Sequence, residues 1–139
     1  MTTYHPWRDA RGRPHLDIAF VDLPIELRGC QAGDRVELHR KQSQRERRST
    51  LAHELVHDER RIYPDDPVLA EREEITVERI AARRLIDLEQ LVDVICWSRD
   101  AEEIAAELWV DAAMLTAFVQ SLTDDERRYI DREIERRQP

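Results

Sequence analysis

The chain has few glycines, few cysteines and no excess of positive charge. Three glycines among 139 residues leave room for few tight loops, so helix is expected to dominate. The two cysteines, Cys30 and Cys96, are isolated from each other and match neither a disulfide framework nor a pair of metal ligands. The formal net charge is −8. That balance argues against broad, non-specific binding of nucleic acid, which needs a basic surface. No apolar run approaches a membrane span, and Met1–Pro14 lacks the apolar centre of a signal peptide. A cytoplasmic protein with two free thiols and no membrane contact is the simplest expectation.

What is present reads as a mixture of strand and helix. Up to Pro14 the chain is polar and proline-bearing, and its first dozen residues are expected to be loosely ordered. His15–Val21 alternates and carries β-branched residues, which predicts a strand ended by Pro24. Gly29 and Gly33 flank Cys30 in a turn-rich connection, and Arg35–His39 alternates again as a second short strand. The connection is too short for a helical crossover, so these strands are expected to pair antiparallel. Ser43-Gln44-Arg45-Glu46 is a capping box, predicting a helix from about Ser43 to about Arg60. Its basic run Arg45, Arg47 and Arg48 is expected to form a solvated face. Asp66 and Pro67 suit the cap and first position of another helix.

The most informative segment is Leu51-Ala52-His53-Glu54-Leu55-Val56-His57. In a helix, His53 and His57 lie one turn apart on one face and can reach the same metal ion. Glu54 stands beside them, placed to accept a proton from water activated by that ion. Zinc is the expected metal, although two histidines and a carboxylate also suit manganese or iron. A catalytic zinc site needs a third protein ligand and one open position. Glu74, Val77, Glu78, Ala81 and Leu85 form one stripe at helical spacing in the following helix. Glu74 is the best candidate there, with Glu73 and Glu78 as alternatives. Glu78, one turn on, is also placed to bond the outer nitrogen of a ligand histidine and fix its tautomer.

That motif, followed by Glu74-x-x-Val77 and Ala81-Ala82-Arg83-Arg84-Leu85-Ile86, resembles the ImmA/IrrE metallopeptidases, in particular the small versions from actinobacteria and their phages. Arg47-Arg48-Ser49-Thr50 and Pro6-Trp7 add to the likeness, which is strongest between about Glu46 and Ile86. The resemblance implies an α+β fold, with a small antiparallel sheet packed on a zincin-like active-site helix and a glutamate helix. It implies zinc held by His53, His57 and Glu74, with Glu54 as general base. The implied activity is endopeptidase cleavage of a regulatory protein, a repressor of a phage or mobile element. Glu78 stands where the family often has Asn or Asp, and Asp87 where many members have Pro. One domain over 1–139 is expected, with a zincin-like core over 1–90 and a helical extension over 91–139.

The C-terminal third has the cadence of a helix-turn-helix unit. Asp100-x-x-Glu103 and Thr123-x-x-Glu126 read as capping boxes, predicting helices near 101–108, 112–121 and 124–137. A DNA reader would place Asp111–Leu122 in the groove, yet that segment contains no Lys or Arg. Trp109 also takes the turn position where glycine is common. A helical cap on the core, or a docking face for a protein, is the better expectation. Trp97 and Trp109 are expected in the core. Tyr63 and His39 are near the motif in sequence as possible oxyanion donors, but nothing in the sequence places them at the site. A non-catalytic regulator with a structural metal is the competing function.

Overall fold

Side-chain caps and first-turn prolines set where most of the helices begin. The structure, a computed structural model, describes residues 4–24 and 27–138. Residues 1–3 of the expected loose N-terminus lie outside that description. Pro6 opens helix α1 (Pro6–Arg11), so the described part of the opening dozen is mostly helical and not loosely ordered. Asp9 explains why: its carboxylate accepts from the Tyr4 hydroxyl at 2.7 Å and from Arg13 Nε at 2.8 Å. Arg13 then donates to the Leu55 carbonyl at 3.0 Å and to Asp58 at 2.9 Å, tying this N-terminal turn to the next helix in space.

Strands β1 (Asp17–Val21), β2 (Gly29–Ala32) and β3 (Arg35–His39) form one sheet in the order β1-β3-β2. β1 and β3 pair parallel, Ile18 opposite Val36, and β2 pairs antiparallel with β3. The expected antiparallel sheet is therefore a mixed one. The reason is that the glycine-bearing connection is itself a strand. β2 reverses the chain once and the β2–β3 hairpin reverses it again, so β3 returns between its neighbours without a helical crossover. Gly33, at φ +61°, occupies the first central position of that two-residue hairpin, where a side chain would be strained.

The capping box at Ser43 and Glu46 starts α2 (Gln44–Arg60), with both reciprocal bonds made at 2.9 and 3.3 Å. This helix is buried from two sides. Leu51 and Leu55 pack with Ala10, Val36 and Leu38 beneath the sheet. Ala52 and Val56 join Val77, Ala81, Ala82 and Leu85 of α3 (Pro67–Leu85) in a larger cluster. α3 begins as its sequence predicts, with Asp66 capping Leu69 N–H at 3.1 Å and Pro67 at the first position.

The remainder is helical: α4 (Leu88–Ile95), α5 (Ala101–Glu107), α6 (Ala112–Ser121) and α7 (Asp124–Arg137). The last three match the expected segments closely. Val92, Ile104, Leu115 and Phe118 extend the core begun by α2 and α3. The fold class is α+β with a mainly helical C-terminal part. No described helix is long and apolar enough to cross a membrane.

Two expectations fail in this region for identifiable reasons. Trp97 and Trp109 are 58% and 59% exposed rather than in the core. Trp97 follows the last turn of α4, and Trp109 holds the α5–α6 turn at φ +60°, which turns its ring outward. The arginine run of α2 is not a solvated face either. Arg45 donates to the Val110 carbonyl at 2.8 Å, Arg48 to the Trp109 carbonyl at 2.9 Å, and Arg47 to the Arg40 carbonyl at 2.8 Å. Each guanidinium caps a backbone acceptor of a neighbouring segment, so this face is a half-buried seam.

Candidate metal centre

α2 carries His53 and His57 on adjacent turns of one face, with ring centroids 4.9 Å apart. α3 crosses that face closely because the residues between the two helices, Ala52, Val77 and Ala81, are small and fully buried. The crossing places Glu74 over both rings. Its Oε2 lies 2.9 Å from His53 Nε2, and its Oε1 lies 2.8 Å from His57 Nε2. One potential donor atom from each of the three residues falls within 4.8 Å of the others. The three residues singled out in the sequence are thus brought together.

The alternatives for the third position separate by their partners. Glu73 is 8% exposed and is already taken by Arg60, which binds both carboxylate oxygens at 2.6 and 2.9 Å. Glu78 reaches the other side of His53, its Oε1 standing 3.3 Å from Nδ1. That contact is the tautomer-fixing one expected from its helical spacing. His57 differs, because its buried Nδ1 has no hydrogen-bond partner.

Glu54 is 5% exposed, beside the two imidazoles. Burial pushes its carboxyl up, Glu74 and Glu78 push the same way, and the two histidines oppose them. Burial acts to lower His53, but hydrogen bonds to Glu74 and Glu78 prevail and raise it to about 10. Glu74 is held well below the usual carboxylate range by its bonds to His53 and His57. Three carboxylates around one imidazole favour a cation at this point, whether a proton or a metal ion.

The group opens on a cleft of about 770 Å³. One wall is β2, through Gly29, Cys30 and Gln31; another is α6, through Ala113, Thr116 and Ala117. The second helix of the helix-turn-helix-like pair therefore packs along α3 with its small residues lining the cleft. Tyr63 is also on this cleft, stacked on His57 with centroids 6.2 Å apart and its hydroxyl donating to Gln31 Oε1 at 3.3 Å. His39 is not among the lining residues; its Nδ1 accepts from Lys41 N–H at 3.2 Å.

Three neighbours were not legible as site residues in the sequence. Gly29 brings the β2 backbone against α2. A Cβ there would lie 2.6 Å from Thr50 Cγ2 and 3.3 Å from Glu54 Oε1. An isolated glycine in a strand is the available signal for such an approach, but here the strand itself has no alternating pattern. Arg28 and Asp111 meet at the rim, 83 positions apart, and nothing local announces that pairing. A second grouping, His15, Asp34 and Asp58, also has donor atoms near one another. Arg13 and Arg61 already bind Asp58, and Arg61 binds Asp34, so arginines supply the positive charge there.

No protein-family model, no curated protein and no solved structure matches this chain. The likeness to ImmA/IrrE peptidases rests on the motif residues themselves.

Proposed function

We propose that this protein is a metal-dependent endopeptidase of the ImmA/IrrE type, with His53, His57 and Glu74 as metal ligands and Glu54 as general base. The observation that carries the reading is the meeting of both Nε2 atoms with the Glu74 carboxylate beside a buried Glu54. Two imidazole nitrogens and one carboxylate from three residues suit zinc with one coordination position left for reactant. Bound zinc would supply Lewis acidity, polarising a scissile carbonyl and lowering the pKa of the attacking water.

The chain's own residues account for the rest. Glu54 accepts the proton of the attacking water and returns it to the leaving amine nitrogen. Glu78 holds the His53 ring from its Nδ1 side, leaving Nε2 for the ion. Among the described residues β2 pairs with β3 alone, so an extended peptide can add along the other edge and run past Glu54. The substrate is then a protein segment in extended form. The family resemblance directs the search to a repressor of a phage or mobile element. The placement of α6 along the cleft supports a role in shaping the site, and its lack of basic residues argues against groove contact with DNA.

The test compares wild type with Glu54→Gln, both loaded with zinc, on candidate repressors and on a proteome-derived peptide library read by mass spectrometry. The expected result is specific cleavage by wild type, with folded, zinc-bearing E54Q at least 100-fold slower. Equal cleavage by the two proteins would contradict the assignment of Glu54. Zinc binding with no cleavage by wild type of any repressor or library peptide would favour the non-catalytic regulator, in which the same cluster is structural.

A further inference from the structure

Arg28 sits where the chain enters β2, at the rim of the cleft. Its Nη1 donates to Asp111 Oδ2, and its Nη2 lies 3.5 Å from Glu78 Oε2. The opposite oxygen of the same Glu78 carboxylate is the one that meets His53 Nδ1 at 3.3 Å. Asp111 is fixed from both sides. Its Oδ1 caps α6 by accepting from Met114 N–H at 2.9 Å, and its own N–H donates to Ser49 Oγ at 3.1 Å. Ser49 is one turn before His53 on α2. The side chains of Glu78 and Asp111 are 18% and 10% exposed, so two largely buried carboxylates share one guanidinium.

Resting on the metal-centre reading above, we propose that Arg28 is a positioning residue for that centre: it holds Glu78 against His53 Nδ1 by bridging Glu78 to the N-cap of α6. Without Arg28, the Glu78 and Asp111 carboxylates face each other with no cation between them and repel. Asp111 stays anchored by the Met114 N–H of α6 and by Ser49 of α2, so Glu78 is the one that moves, and His53 loses the partner that orients its ring. The guanidinium fork suits the task because it offers parallel donors to two acceptors at once. An ammonium is a single point charge that satisfies such a pair less well. The arrangement also couples the start of α6 to a ligand histidine, so the C-terminal helices contribute to the centre they flank.

The experiment is a zinc-affinity series by competition with a chromophoric chelator, for wild type, Arg28→Met, Arg28→Lys, Glu78→Gln and the R28M/E78Q double variant. It is joined by a crystal structure of metal-free R28M. R28M is expected to bind zinc at least 10-fold more weakly than wild type, the size typical of losing an outer partner of a ligand. R28K should recover part of that loss. The double variant should be no weaker than E78Q, because Arg28 acts through Glu78. In the R28M structure the Glu78 carboxylate should have left His53 Nδ1. Unchanged affinity in R28M, or losses that multiply in the double variant, would overturn the proposal. Should wild type bind no zinc, the metal reading fails by itself. The Arg28 inference is then decided by the R28M structure, where an unmoved Glu78 overturns it.

Discussion

The backbone of Gly29 lies so near Glu54 that a Cβ on this residue would stand 3.3 Å from the Glu54 carboxylate. The closer obstacle is Thr50, whose Cγ2 would be at 2.6 Å, below any ordinary contact. β2 and α2 are thus held at a separation that only glycine permits. Gly29→Ala is expected to cost about 1–3 kcal/mol through overpacking. Adding Thr50→Ser removes the obstructing methyl and should restore most of it. Urea denaturation of the single and double variants checks this, and an additive double variant would contradict it.

Arg48 is expected to contribute more than a surface charge despite its place in a basic run, because it is half-buried. Its guanidinium bonds the carbonyl of Trp109 at 2.9 Å and stands 6.0 Å from that residue's ring. Burial pushes its own proton affinity down. Arg48→Met should cost about 1 kcal/mol, the net worth of its hydrogen bond to the α5–α6 turn. Arg128→Met, which breaks an exposed pair with Asp125, should cost less than about 0.5 kcal/mol. Thermal melts of the two variants, side by side, give the comparison.

Trp109 is a bulky residue at φ +60°, where a side chain without β-carbon crowding is favoured. Trp109→Gly is expected to stabilise by about 1 kcal/mol, reduced by about 0.5 kcal/mol for the lost contact with Arg48. A lower midpoint in urea for W109G would show that the exposed ring contributes more than its backbone costs.

Acid should loosen the N-terminal helix through Asp9. Burial pushes this carboxyl up, but hydrogen bonds from Arg13 and Tyr4 outweigh it and hold it below its ordinary 3.8. A depressed carboxylate contributes stability that is present above the unfolded-state pKa and lost as pH falls through the folded one. Stability should therefore be flat above about pH 5 for this group and fall below about pH 4. Asp9→Asn should be less stable by about 2 kcal/mol at neutral pH and show a shallower acid slope. Urea midpoints between about pH 2 and pH 7 measure both.

The parts of this molecule that could be read from its sequence are those specified by nearby residues. Ser43 with Glu46, Asp66 with Pro67 and Thr123 with Glu126 mark helix starts within four residues, and all three helices begin there. His53, His57 and Glu74 were legible for the same reason, since helical spacing puts them on facing stripes of α2 and α3. The illegible parts depend on distant partners. Gly29–Ala32 is a strand because β3 pairs with it, and its presence makes β1 and β3 parallel. Arg45, Arg47 and Arg48 look solvated until the carbonyls they meet are brought in from 7 to 65 positions away. Arg28 and Asp111 became neighbours of the site only through the packing of α6 on α3.

The most direct test of the central claim is the metal content of the purified protein, by elemental analysis, for wild type, His53→Ala, Glu74→Ala and Glu73→Gln. The account predicts near-stoichiometric zinc in wild type and in E73Q, whose carboxylate faces Arg60, and its loss in H53A and E74A. Wild type without metal after zinc is supplied, or zinc retained in both H53A and E74A, would contradict the claim that these helices build a metal centre.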